Sequence, residues 1–438
     1  MAEVAEQDPS RPSGPLAGIR VLEFSQIVAG PVAGLNLADL GADVIKVEPP
    51  AGDSHRFVGT TVPGESKMYQ GNNRGKRGLV VDLHDPRGTA ALLALVPSVD
   101  VVIMNYRPGV PERLGMDYDS LRALRPDLIY AQISGFGEAG PWATRGGSDI
   151  VAQAHSGLMA VDEKYDEHGS PQLIGIPVSD YAAGLAIAMG VASALYHRER
   201  TGEGQYLSTS LLRMGLFMQN RIVMREPVGD TAIRDPMVEA LREAQAEGAA
   251  YPELLAVRRP RGRFASPFTL YYRGYQAADG TVVLGALTPQ NRAHIRQVLG
   301  IEGEHSDDPD FDARDPKSIE ATERWRAWIE ERMREQTVAE WLAAFEAVGV
   351  PAAKVNFPEE MADDEQANAD GMILDLEHLV TGPQRVVGPA VVMSATPTGS
   401  PLPAPALGQH TAEVLREAGL SEAEVRELAE AGVVRVLE

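Results

Sequence analysis

The sequence predicts an α/β protein: a parallel sheet covered by helices on both faces, followed by a smaller α+β domain. Three observations carry this. Short β-rich runs alternate with helical ones from Gly18 onward, the strand-like runs are almost continuously apolar, and long charged helices take over after Arg221. Strands buried on both faces need no polar alternation, and VVIM is such a run.

In chain order, GIRVLEF reads as a strand, AGPVAGLNLADLGA as a helix and DVIKVE as a second strand. The rhythm continues with LVVDL at 79–83, a helix over 85–99, VVIMNY at 101–106, a helix over 118–125 and LIYAQIS at 128–134. Ligands in such a sheet gather at the carboxyl ends of the strands. Those ends are 25–30, 48–53, the segment after Asp82, 105–109 and 134–141. The apolar run 182–196, AAGLAIAMGVASALY, is shorter than a membrane span and reads as a helix buried in a soluble protein.

Beyond it, helices are expected at 236–248, 317–334 and 338–348, with a hairpin turning at Asp279-Gly280. The domains expected are 15–220, 226–350 and a return to the large domain over 355–438. In that return the proline-rich stretch 397–405 connects to two final helices. No internal repeat is visible.

With 438 residues there is ample chain for two or three cores. The 62 acidic residues against 40 basic ones give a net charge of −22, which argues against general binding to nucleic acid or anionic membranes. Cysteine is absent, so a nucleophile must be an oxygen or a nitrogen. The first fifteen residues are acidic and lack an apolar core, so neither a signal nor an anchor is expected there, and a cytoplasmic location is.

Familiar cofactor motifs are missing. GNNRGK at 71–76 has one residue too few between its glycines for a phosphate loop, and Arg77 stands where Ser or Thr belongs. Gly30 and Gly34 do not make a dinucleotide fingerprint, and there is neither GxSxG nor HExxH, so no metal is expected. Arg74, Lys76 and Arg77 concentrate positive charge in a chain with only six lysines. Such a run is either a solvated loop or, with Arg107 and Arg113 beyond the 101–106 strand, a cradle for a polyanionic ligand. Asp180 opens the most apolar helix. It reads as a first-turn carboxylate paired with backbone N–H groups, or as an ionised nucleophile toward a thioester.

The stretch PLAGIRVLEFSQIVAGPVAGLNLADLGADVIKVEPPAGD, together with NRGKRGLVVDLHDPRG, NYRPGVPERLGMDYDSLRALRPDLIYAQISGFGEAGP, SDIVAQAHSGLM and VSDYAAGLAIAMGVASALYHRERTGEGQYLSTSLL, resembles the class III CoA-transferases, a family that also contains α-methylacyl-CoA racemases. The likeness is dense over 15–220 and returns in PALGQHTAEVLREAGL. It implies a large Rossmann-like domain built from both parts of the chain, a small domain, and an interlocked homodimer. It implies acyl-CoA and a carboxylic acid as substrates, with no permanently bound cofactor and no nucleic-acid or membrane partner.

By resemblance, Asp180 matches the catalytic aspartate that takes the acyl group as a mixed anhydride. Asn105, Tyr106 and Arg113 fall where the family meets the nucleotide of CoA, the Arg74 to Arg77 loop with Lys76 falls beside the same crevice, and Arg107 is counted with them as a cofactor-binding residue from its charge. Backbone N–H groups near Gln26 to Gly30, a segment that includes the cofactor-binding candidates Val28 and Ala29, or at the start of the Asp180 helix, are the expected oxyanion donors. In the racemases a histidine stands in a GHD motif. Here the segment is Gly147-Ser148-Asp149, and serine cannot exchange a proton at neutral pH, which favours transfer over racemisation. His155 is a poor substitute, lying inside an expected helix. A family glutamine is replaced by Val28, which argues against formate and oxalate. The family's glycine-rich loop has only Gly262 to represent it, and 251–263 is where acyl specificity is expected to be decided. A binding protein without catalysis is the remaining alternative, and the presence of Asp180 weighs against it.

Overall fold

The computed structural model describes residues 14–261, 265–266 and 268–437. The Gly262 loop reading lies outside the described residues. Two compact units emerge: 1–224 joined with 365–438, and 225–364. The second unit is therefore longer than 226–350, because the 352–354 strand pairs within its sheet.

In the first unit the order is β1 (Arg20–Phe24), α1 (Ala29–Asp39), β2 (Asp43–Glu48), α2 (Lys67–Asn73), β3 (Arg77–Val81), α3 (Pro86–Leu95), β4 (Val101–Met104), α4 (Val110–Leu114), α5 (Tyr118–Arg122), β5 (Ile129–Ser134), α6 (Asp149–Ser156), α7 (Leu158–Asp162), α8 (Val178–Thr201), β6 (Tyr206–Ser210) and α9 (Leu211–Met218). Strands β3-β2-β1-β4-β5-β6 lie side by side and parallel, the order of a doubly wound dinucleotide-type sheet. All four residues of β4 are buried, as its unbroken apolar run requires. One core holds Leu22, Ile45, Leu79 and Val102, and the other holds Val21, Val44, Ile103 and Ile187.

The outer edge of β3 is closed by residues far along the chain. His410 Nδ1 accepts the Gly78 N–H at 3.1 Å, Thr411 Oγ1 accepts that of Val80 at 3.0 Å, and the short antiparallel β12 (Val434–Arg435) pairs with Val80 and Val81. Earlier in the chain than these residues, but within the same unit, is a hairpin that the sequence analysis missed, β10 (Ile373–His378) and β11 (Gly382–Val387). The second unit folds around a three-stranded antiparallel sheet, β7 (Tyr272–Gln276), β8 (Thr281–Gly285) and β9 (Ala352–Lys354). Helices Pro289–Leu299, Pro316–Met333 and Val338–Glu346 pack their apolar faces on it through Ile295, Ile329 and Trp341.

Helix α8 runs for 24 residues, longer than the apolar run alone suggested, and by length and composition it could cross a membrane. It packs on α1 and the sheet with only one face. The opposite face is open: Leu185 is 49% and Met189 70% exposed, so the expectation of a fully buried helix fails on that side.

Candidate active site

The order of the sheet reverses between β1 and β4, and a crevice forms where the two adjacent crossovers leave on opposite sides. A cleft of about 870 Å³ occupies that place. Its walls come from the ends of β1 (Gln26, Ile27, Val28, Ala29), β2 (Glu48, Pro49), β3 (Asp82, Leu83, His84) and β4 (Asn105, Tyr106, Arg107), with Ser148, Asp149 and Asp180 across from them. The end of β5, residues 134–141, does not reach it.

Asp180 sits in the first turn of α8 and is 8% exposed. Its place is set by how closely α8 and α1 approach. One turn along the same face is Gly184, where a Cβ would stand 2.7 Å from Val32 and 2.8 Å from the Ala29 carbonyl, so only glycine lets the helices meet. Asp149, at the start of α6, is buried opposite. Its carboxylate accepts the Ser179 N–H at 2.9 Å and the Asp180 N–H at 3.4 Å, capping α8 from another helix. Burial first, and the nearby Asp149 charge second, push the Asp180 carboxyl up to about 7. The expectation that a helix N-terminus keeps it ionised is corrected accordingly: the dipole acts on a group that has lost most of its water.

Of the other expected residues, Gln26, Val28, Ala29, Asn105, Tyr106 and Arg107 share the cleft with Asp180. Arg113 lies in an adjoining groove of about 310 Å³, which shares Leu83, His84 and Leu114 with the cleft. Arg74, Lys76 and Arg77 are elsewhere, and the cradle reading of that loop is corrected. Arg74 is buried in a two-pronged pair with Asp39. Lys76, equally buried, meets Glu23 at 2.8 Å and also donates to Pro31 O and Asn73. Arg77 is held by Asp43, Glu413 and Glu417. Each charge is already spoken for by a carboxylate that the fold brings from elsewhere in the chain. His155 stacks on Trp142 at 4.0 Å between ring centroids and is not among the cleft residues.

Sequence reasoning missed His55, His84 and Asp149. His55 lines the cleft with its Nδ1 buried and without a hydrogen bond, and burial holds its pKa below the usual histidine range. Asp149 was visible as the last residue of Gly147-Ser148-Asp149, but nothing in the sequence aimed it at α8. No group of three or more potential metal ligands exists among the described residues.

CoA-transferase family III matches residues 16–411 of the chain. A succinyl-CoA:glutarate CoA-transferase of Homo sapiens is 32% identical over 427 residues, covering 96% of this chain and 90% of the relative. A succinate–glutarate CoA-transferase of Agrobacterium fabrum is 34% identical, covering 92% of this chain and 95% of the relative. A solved CaiB/BaiF family protein from Brucella suis superposes with a TM-score of 0.72 at 29% identity, covering 93% of this chain and all of that one.

Proposed function

The chain belongs to CoA-transferase family III, and on that footing we propose that it moves CoA from an acyl-CoA thioester to a free carboxylate, with Asp180 as nucleophile. The observation that carries the assignment of Asp180 is its position. It is a buried carboxylate facing a cleft at the switch point of a doubly wound sheet, in a chain without cysteine.

In this reading an Asp180 oxygen attacks the thioester carbonyl, the C–S bond breaks, and CoA leaves as thiolate from an acyl-aspartyl anhydride. The thiolate then attacks the aspartyl carbonyl and releases the first acid, leaving an aspartyl-CoA thioester. The acceptor carboxylate attacks that carbonyl, forms a second anhydride and expels the thiolate. The thiolate takes the acceptor's acyl group and frees Asp180. An anhydride keeps the thioester's energy only if water is kept out, and the burial of Asp180 serves that end. Each tetrahedral oxyanion needs donors, and the N–H groups of Val28 and Ala29 at the head of α1, without intrahelical partners, are placed for it. Arg107 lines the cleft as its one guanidinium among the described residues and suits an anionic part of the substrate.

A dicarboxylate as donor or acceptor acid is the substrate class that the names of the human and Agrobacterium relatives support. The open face of α8, with Phe217 72% and Met218 48% exposed nearby, supports a homodimer in which a second copy covers it. A stable monomer by light scattering at micromolar concentration would remove the dimer.

The deciding experiment supplies acyl-CoA donors, succinyl-CoA among them, with pooled carboxylic acids and reads new CoA esters by mass. Asp180→Asn is expected to lower turnover by at least ~10³-fold, with the fold intact. An acyl or CoA adduct on Asp180 that hydroxylamine removes is expected in the native protein. Near-normal turnover in Asp180→Asn refutes the mechanism, and solvent deuterium entering the α-position without CoA transfer would turn the reading to racemisation.

A further inference from the structure

Ile27 lies in the cleft wall with φ at +74°, in the left-handed region that a β-branched residue strongly avoids. Nothing in the local sequence FSQIVAG favours this geometry, so surrounding structure must impose it. Directly beneath is an ion pair between two wholly buried side chains, Lys46 at the middle of β2 and Asp53 just past its end, 3.1 Å apart. Both partners reach the segment after β1. Lys46 Nζ donates to the Ser25 carbonyl at 2.9 Å, and the Ile27 N–H donates to the two Asp53 oxygens at 3.3 Å each.

The pair therefore holds the two peptide groups on either side of Gln26, one by its carbonyl and one by its N–H. It is itself braced. Lys46 also meets Glu23, and Asp53 accepts the His55 N–H at 2.9 Å, while its own N–H donates to Glu48 at 2.9 Å. A simple core ion pair would need no contact with a strained backbone. This one ends on the residues that turn the chain from β1 into the first turn of α1.

We propose that Lys46 and Asp53 are positioning residues for CoA transfer, gripping the Ser25 carbonyl and the Ile27 N–H so that Gln26 and the Val28 and Ala29 N–H groups face the reacting carbonyl beside Asp180. The inference rests on the reading of the cleft as the site of transfer. Its function is to replace what the sequence of the turn does not supply: a fixed backbone at the point where charge develops in the reaction.

The test is a double-mutant cycle at positions 53 and 27, read as kcat and KM for CoA transfer, with the thermal midpoint recorded for each variant. Asp53→Ala is expected to lower kcat by ~10 to 10²-fold with KM for the thioester changed far less, the pattern of a misplaced transition-state contact. Asp53→Asn keeps an oxygen for the Ile27 N–H and is expected to lose less. In an Ile27→Gly background, where the left-handed turn is free of side-chain conflict, Asp53→Ala is expected to cost under ~3-fold. An equal cost in both backgrounds, or an unchanged kcat in Asp53→Ala, overturns the proposal, because a role confined to core stability would not depend on residue 27. If Asp53→Ala does not fold, the same cycle runs with Asp53→Asn, where a smaller but measurable loss of kcat that shrinks in the Ile27→Gly background is expected and an equal cost in both backgrounds overturns the proposal. Asp180→Asn measured alongside separates the two claims: full turnover there defeats the nucleophile while the cycle still reports on the clamp.

Discussion

Adding one methyl group at Gly184 tests whether the close approach of α8 and α1 places Asp180, the proposed nucleophile. In Gly184→Ala the new Cβ would lie 2.7 Å from Val32 and 2.8 Å from the Ala29 carbonyl oxygen. Carbon contacts settle near 3.5 to 4.0 Å, so the helices must separate by roughly 1 Å at this point. Overpacking of this kind costs ~1 to 3 kcal/mol, and the better helix propensity of alanine returns ~1 kcal/mol. Net stability is thus expected to fall by no more than ~2 kcal/mol. Asp180, one turn away on the same face, moves with the helix, and a shift of ~1 Å at a reacting group costs up to ~10²-fold in rate. Steady-state CoA transfer and thermal unfolding on the same preparation read both effects. A variant with a higher melting temperature and kcat within ~2-fold of the parent would show that this crossing does not position Asp180.

Three further outcomes are expected. In the proposed mechanism Asp180 attacks as the carboxylate, and its carboxyl sits at about 7, so kcat/KM should rise with pH through neutrality and level off above it. Asp149→Asn removes a neighbouring negative charge and should move that acid limb to lower pH, and a limb that stays in place would exclude the coupling. Arg113→Ala should raise KM for CoA esters with little change in kcat, since a contact far from the reacting bond binds ground and transition states alike. A loss confined to kcat would contradict that placement.

The sheet was legible because buried parallel strands leave a direct mark on sequence. VVIM is apolar throughout because both of its faces are covered, and the crevice residues Gln26, Asn105 and Tyr106 follow at once from strand ends. Asp180 was singled out by resemblance and does line the cleft, but its environment was not legible, since the carboxylate of Asp149 arrives from 31 positions away. The basic loop misled for the same reason. A charge run looks free until the fold supplies Asp39, Glu23, Asp43 and, from more than 330 positions along the chain, Glu413 and Glu417. Ile27 gave no sign at all, because β-branched propensity argues against the conformation it adopts. The β10–β11 hairpin escaped because Asp375, Glu377 and Arg385 break its apolar pattern, and β12 is too short to leave one.

The way β3 acquires its outer edge bears on how the protein is made. Its neighbours on that side, His410, Thr411 and β12, are translated only after the whole of 225–364, so the strand emerges from the ribosome long before its partners exist. Through that interval the N–H groups of Gly78 and Val80 are open to pairing with another nascent chain. The insertion therefore sets a waiting time, during which the outer edge of β3 lacks every one of these native partners.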